Sequence, residues 1–259
     1  MTIVILCGYP NSQYARDILR ALNSRGLRGV HVVAASGASG QRSARKLWRT
    51  HGFALPLVAA RWVARRLLTA LHAPLNATQH HAPTLESETT AQGGRFLVVQ
   101  DVNSEETRRA LSDLNVDLMI LGGAPIVKAP ILQVPRIGTL NAHQGALPQL
   151  RGMNVIEWAL LEGIPPTITV HFVDPGVDTG DIVAMERIPI HPGDTLVSVR
   201  ATASRVQSEL LARTACEADH GFLPRRSQRR EDGKQYYAMH PRLKVCAEAR
   251  LPLFALGTA

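Results

Sequence analysis

The sequence predicts one α/β domain built on a mostly parallel sheet flanked by helices. Three observations carry this. The chain opens strand, helix, strand. The same alternation returns after residue 94. The composition, 45% hydrophobic and 19% charged over 259 residues, suits a globular chain with room for one large domain and a small appendage. Strands alternating with helices pair in parallel through right-handed crossovers.

The opening TIVILCG (2–8) is a β-branched run ending in glycine, as a strand buried on both faces reads. Residues 11–25 carry helical spacing: Ile18, Leu19 and Leu22 share a face, Asn11 or Ser12 stands as cap, and Gly26 and Gly29 stop the helix. GVHVVAA (29–35) is the second strand. Residues 36–94 then interrupt the rhythm as an insertion. It opens as a loop, SGASGQRS. It continues with Val63, Leu67 and Leu71 four apart and Arg61, Arg65 and Arg66 on the other side, an amphipathic helix. Three readings of that helix stand open: a membrane-surface or partner helix, a lid over the ligand site, or a helix packed on the domain with a wet basic face. Residues 76–94, rich in His, Thr, Ser and Gly, read as a mobile loop, and the adjacent His80 and His81 as loop histidines rather than metal ligands. Strands follow at 95–99, 116–122, 137–141, 168–173 and 181–190. Helices run from a Ser104 cap through Leu114, over 155–161, and over 194–219 with Asp194 as cap. The tail from residue 221 reads as basic and irregular, with one strand near 235–239.

The net charge is +8 and the pI about 10.0. That suits an anionic ligand, RNA or a membrane surface, or simply a solvated basic face, and names none of them. Cys7, Cys216 and Cys246 are far apart and odd in number, so neither a disulfide framework nor a metal site is implied, and a reducing cytoplasm fits. No stretch reaches the roughly 18 apolar residues of a spanning helix. The first apolar run is too short, and lacks the basic flank, for a secretion signal. The expected location is cytoplasmic.

The chemistry concentrates in residues 138–182, GTLNAHQGALPQLRGMNVIEWALLEGIPPTITVHFVDPGVDTGDI. Asn141 and His143 are two apart at a strand end, so both side chains leave the same face. That end of the sheet is where open α/β folds place ligands. ALPQLRG carries loop signals. VDPGVDTGDI offers Asp174, Asp178 and Asp181 in a glycine-rich turn, any of which could orient and charge His143.

In combination these segments resemble the folate-dependent formyltransferases: the glycinamide ribonucleotide, methionyl-tRNA and sugar-nucleotide enzymes. The shared signature is Asn-x-His, a Leu-Pro-x-x-x-Gly loop and Gly-x-Asp-x-Gly about 35 residues after the histidine. Here Asn141 and His143, Leu147 and Pro148 with Arg151 and Gly152, and Gly176, Asp178 and Gly180 match it, as do Trp158, Thr169, His171 and Asp174. The match is dense over 116–200, loose over 1–35 and absent over 36–94. The resemblance implies a Rossmann-like domain, residues 1–220, carrying the insertion, with 221–259 as a short basic extension. It implies Asn141, His143 and Asp178 as the catalytic trio. Asn141 and a protonated His143 would stabilise the oxyanion of an amine attacking a formyl carbon, and Asp178 would raise the basicity of His143 and relay the proton through water. 10-Formyltetrahydrofolate would lie on Gly122, Ala124, Pro125, Ile126 and Val127 and on Val173, Asp174, Gly176 and Val177, held mainly by main-chain groups. The acceptor would meet Gly8, Asn11, Ser12, Arg151 and Gly152, although Pro10 leaves the first loop one N–H short of an anion cradle. No metal is expected.

The expected activity is therefore N-formyl transfer to a primary amine of a small acceptor. A 10-formyltetrahydrofolate hydrolase, a methionyl-tRNA formyltransferase and a non-catalytic binding protein on the same fold are the alternatives. The residues after 220 are too few for the tRNA-binding barrel of the methionyl-tRNA type. A homodimer is the assembly to look for, and no DNA contact is expected.

Overall fold

A computed structural model of the chain describes residues 1–36 and 83–255. In chain order the elements are β1 (Ile3–Cys7), α1 (Gln13–Ser24), β2 (His31–Ala35), α2 (Leu85–Ala91), β3 (Phe96–Val99), α3 (Glu105–Asp113), β4 (Leu118–Leu121), α4 (Ala129–Leu132), β5 (Gly138–His143), β6 (Leu150–Gly152), α5 (Val155–Glu162), β7 (Thr167–Phe172), β8 (Ile182–Arg187), α6 (Leu196–Asp219), β9 (Lys234–Tyr236) and α7 (Pro241–Glu248).

Seven strands form one sheet in the order β3-β2-β1-β4-β5-β7-β8. The first five are parallel, and β7 and β8 join antiparallel. The order reverses between β1 and β4, so the loops leaving those strands flank the crevice where such sheets bind ligands. β1 is buried along its whole length because both faces are covered. Ile3, Ile5 and Cys7 enter one core with α1 and α6, and Val4 and Leu6 enter a second with α3 and α4. Each such aliphatic side chain contributes about 1.5–3 kcal/mol on leaving water. α1 starts at Ser12, whose hydroxyl accepts from Ala15 N at 3.2 Å, and turns Ile18, Leu19 and Leu22 inward.

Several expectations need correction. Part of the expected 76–94 loop is helix α2, nucleated by a capping box in which Thr84 and Ser87 serve each other's backbone. The long C-terminal helix is capped by Thr195 rather than Asp194, which instead accepts from Ser198 Oγ and His191 N. The tail is not irregular, since it contains α7, and β9 pairs in parallel with β6. The expected helix bearing Arg61, Arg65 and Arg66, and His80 and His81, lie outside the described residues.

Candidate functional site

Strand alternation assembles the site. Leu140 and Ala142 of β5, and Ile168, Val170 and Phe172 of β7, belong to the core under α1 and α6. Asn141, His143, Thr169 and His171 therefore leave from the opposite face. The antiparallel register sets Asn141 across from His171 and His143 across from Thr169.

His143 is 7% exposed. Its Nε2 lies 2.8 Å from Leu150 O. A carbonyl only accepts, so Nε2 carries the proton and Nδ1 faces Asp178, 3.5 Å from Oδ2. Gly145 permits this approach, because a Cβ there would lie 2.7 Å from His143 Nε2 and 2.6 Å from Leu150 O. Thr169 ties the intervening loop down, donating to Gly145 O at 2.7 Å and accepting from Leu147 N at 3.3 Å.

Asp178 has φ 54°, the left-handed region that side chains disfavour. Its Oδ2 accepts from Gly152 N at 2.9 Å, and its Oδ1 stands 3.6 Å from His171 Nε2. Asp174 shapes the same turn, its Oδ1 accepting from Gly176 N at 3.0 Å and from Thr179 Oγ1 at 2.6 Å. One carboxylate is thus held among two imidazoles and a peptide N–H.

His171 donates from Nδ1 to Phe172 O at 2.7 Å, which leaves Nε2 as acceptor for Asn141 Nδ2 at 3.3 Å. The Asn141 amide is oriented by that bond. Burial holds the His171 imidazole below its ordinary pKa, Asp178 opposes that shift, and His143 adds to it. The arrangement can offer an amide N–H to a developing negative oxygen and can move a proton along an imidazole–carboxylate pair.

The trio read from the sequence is therefore brought together. Of the two segments expected to hold folate, residues 122–127 follow β4 and residues 173–177 follow β7. Gly8 packs against the loop after β4, its Cβ position 3.0 Å from Gly123 O. On that loop Pro125 and Ile126 are exposed, Ala124 half-buried and Val127 buried, while Gly122 is packed so tightly that a Cβ would lie 2.7 Å from Ile5. Val173 anchors the other segment, donating from its N to Thr139 O at 2.8 Å. Val177 and Gly176 are exposed and Asp174 half-buried.

The expected acceptor set is divided. Gly8 and exposed Asn11 sit at the end of β1, separated from β5 by β4. Ser12 is a correction: it is fully buried, caps α1 and donates to Gly122 O at 3.0 Å, so its hydroxyl is committed to the fold. Gly152 gives its N–H to Asp178. Arg151 is buried and donates to Arg229 O at 2.8 Å. It lines a cavity of about 470 Å³ with Asp174, Val177, Thr179, Gln228 and Gln235.

Sequence reasoning assigned no role to His171, Thr169, Gln207 or Gln228. The first two were within reach, because strand alternation puts them on the face shared with Asn141 and His143. Gln207 was not: it comes from α6 to donate to Ala142 O at 2.6 Å and to accept from Gln144 Nε2 at 2.8 Å. Among the described residues no cluster of His, Cys, Asp and Glu is placed to hold a metal ion, and no helix is long and apolar enough to cross a membrane.

The sequence profile described as formyl transferase matches residues 2–215. Methionyl-tRNA formyltransferases of Koribacter versatilis and Geobacter metallireducens are 32% and 33% identical to the chain over 123 and 147 residues. Those stretches are 47% and 56% of this chain but 39% and 46% of the relatives, so the chain spans less than half of either. Among solved structures, glycinamide ribonucleotide transformylase 1 of Symbiobacterium toebii superposes with a TM-score of 0.57 at 20% identity, over 88% of this chain and 94% of that one. An N-formyltransferase of Helicobacter canadensis, solved with folinic acid and dTDP-3-aminofucose, gives 0.57 at 13% identity, over 97% and 80%. Both share the fold described above.

Proposed function

Since the chain belongs to the formyl transferase family, we propose that it is an N-formyltransferase that moves the formyl group of 10-formyltetrahydrofolate to a primary amine of a small-molecule acceptor. One observation carries this reading: Asp178 lies between His143 Nδ1 and His171 Nε2 at 3.5 and 3.6 Å, with Asn141 bonded to the same His171. Negative charge develops on the formyl oxygen as the amine adds. Asn141 has a second N–H to offer that charge, and a protonated His143 neutralises it. Asp178 stabilises the imidazolium and, through water, takes the proton the amine must lose and relays it to the folate nitrogen, which leaves as its bond to the formyl carbon breaks. A nucleophilic cysteine is not needed. Cys7 is buried, and burial pushes its thiol up to about 12.

The residues fit the folate. Ile126 is 83% and Val177 45% exposed, apolar side chains left open on the two segments assigned to the pterin. A flat ring laid there would cover them. 10-Formyltetrahydrofolate would supply the activated formyl group, and main-chain groups of 122–127 and 173–177 would hold it. Footprinting with 5-formyltetrahydrofolate should protect both segments.

The small-acceptor reading is supported by the cavity beside Asp178. At about 470 Å³ it is of the size that small ligands fill, and Arg151 and Gln235 give it polar walls. The relatives and the +8 charge favour a second reading, the amine of methionyl-tRNA. Purified protein with 10-formyltetrahydrofolate, a panel of small primary amines and, separately, methionyl-tRNA decides by mass spectrometry. A small amine gaining one formyl group is the expected result. Formylated methionyl-tRNA alone would replace the acceptor. Free formate with no formylated amine would replace transfer by hydrolysis.

A further inference from the structure

The family match ends at residue 215, yet the chain beyond it returns to the candidate site. Ile182 and Arg226 form a two-bond bridge, Ile182 N to Arg226 O at 2.8 Å and Arg226 N to Ile182 O at 2.9 Å. Two residues on, the Gln228 side chain donates from Nε2 to Asp178 O at 3.3 Å and, more closely, to Gly180 O. The strap then crosses to the other loop of the site. Lys234 N donates to Gln149 O at 3.1 Å and Met153 N to Tyr236 O at 3.0 Å, within the β6–β9 ladder. The fit is tight enough that a Cβ on Gly233 would lie 1.7 Å from Pro148 O. Residues 226–236 thus fasten together the loop that gives Leu150 O to His143 and Gly152 N to Asp178, and the turn that carries Asp178.

We propose that Gln228 is a positioning residue that holds the Asp178 turn against His143 and His171. The need for one follows from the backbone. Asp178 has φ 54° in a non-glycine residue, a conformation that persists only where surrounding bonds over-determine it. Its carboxylate bonds fix the side chain. Gln228 fixes the main chain on both sides of Thr179 with one amide. Released, the turn relaxes toward ordinary φ, and the carboxylate withdraws from two imidazoles 3.5 and 3.6 Å away. A misplacement of about 1 Å in such a group costs up to roughly a hundredfold in rate.

This inference rests on the formyl-transfer reading, so its test includes a measurement that needs no turnover. Gln228→Met keeps the shape and removes the donor, whereas Gln228→Lys puts an ammonium donor back. In Gln228→Met, kcat should fall about tenfold or more with the KM for 10-formyltetrahydrofolate unchanged. NMR should show His171 titrating at lower pH, because the carboxylate whose charge raises its basicity has moved away. Gln228→Lys should recover most of both. If Gln228→Met does not fold, Gln228→Asn replaces it, since its shorter amide cannot span both carbonyls. Wild-type imidazole titration in the donor-free variant, or equal losses in Met and Lys, would overturn the proposal. A wild-type protein with no transferase activity would sink the functional reading while the NMR comparison still decided this one.

Discussion

The two faces of β5 are built by different rules. Leu140 and Ala142 point into a core of aliphatic side chains from α1, α6 and the neighbouring strands. One residue away on either side, Asn141 and His143 point into a face closed by the loop 144–153, the turn 174–180 and the strap 226–236. The first face is held by area removed from water, which is non-directional and tolerant of hydrophobic exchange. The second is held by hydrogen bonds with fixed partners, in which each buried polar group left alone is costly. A strand whose side-chain period is two lets one element anchor the fold and aim the chemistry at once.

Substitutions should separate the two faces. The largest effect is expected on the polar one. His143→Ala and Asp178→Asn should each lose at least about a hundredfold in formyl-transfer rate while circular dichroism stays native. Near-full activity in both would break the comparison. Next is Leu140→Ala on the apolar face. It should cost about 2–5 kcal/mol in urea unfolding, and activity per folded molecule should survive. Ser12→Ala sharpens the boundary between fold and site. It should cost about 0.5–2 kcal/mol through the lost α1 cap and leave the KM of the acceptor unchanged; a raised KM would return Ser12 to the binding set. The smallest effect is on pH dependence. His171 is held below its ordinary 6.5 by burial, so as pH falls below that value the unfolded chain takes up a proton that the native one resists. Stability should decline on that side until the native imidazole protonates, and remain flat with respect to this group above it. His171→Gln should flatten the slope in thermal melts recorded across the window.

What was legible in the sequence is uneven for a physical reason. α1 could be read, start and inner face, because Ser12, Ile18, Leu19 and Leu22 lie within one helix and obey its period. β1 could be read because a strand buried on both faces has no polar positions. α2 was missed because its cap pairs Thr84 with Ser87 in a composition that looks like loop. β6 was missed because three residues carry no period, and its partner β9 lies some eighty positions further on.

The sequence by itself determined the alternating α/β rhythm, the buried first strand and the spacing that puts Asn141 and His143 on one face. These are consequences of local backbone geometry, which repeats every two or every 3.6 residues. The tertiary structure decided the rest. It turned β7 antiparallel so that His171 faces Asn141. It set Asp178 in a left-handed turn between two imidazoles. It committed Ser12 to the fold rather than to a ligand, and it brought Gln228 back across fifty residues to that turn. Contacts between residues so far apart follow from how the sheet and its loops close in space, and no local pattern records them.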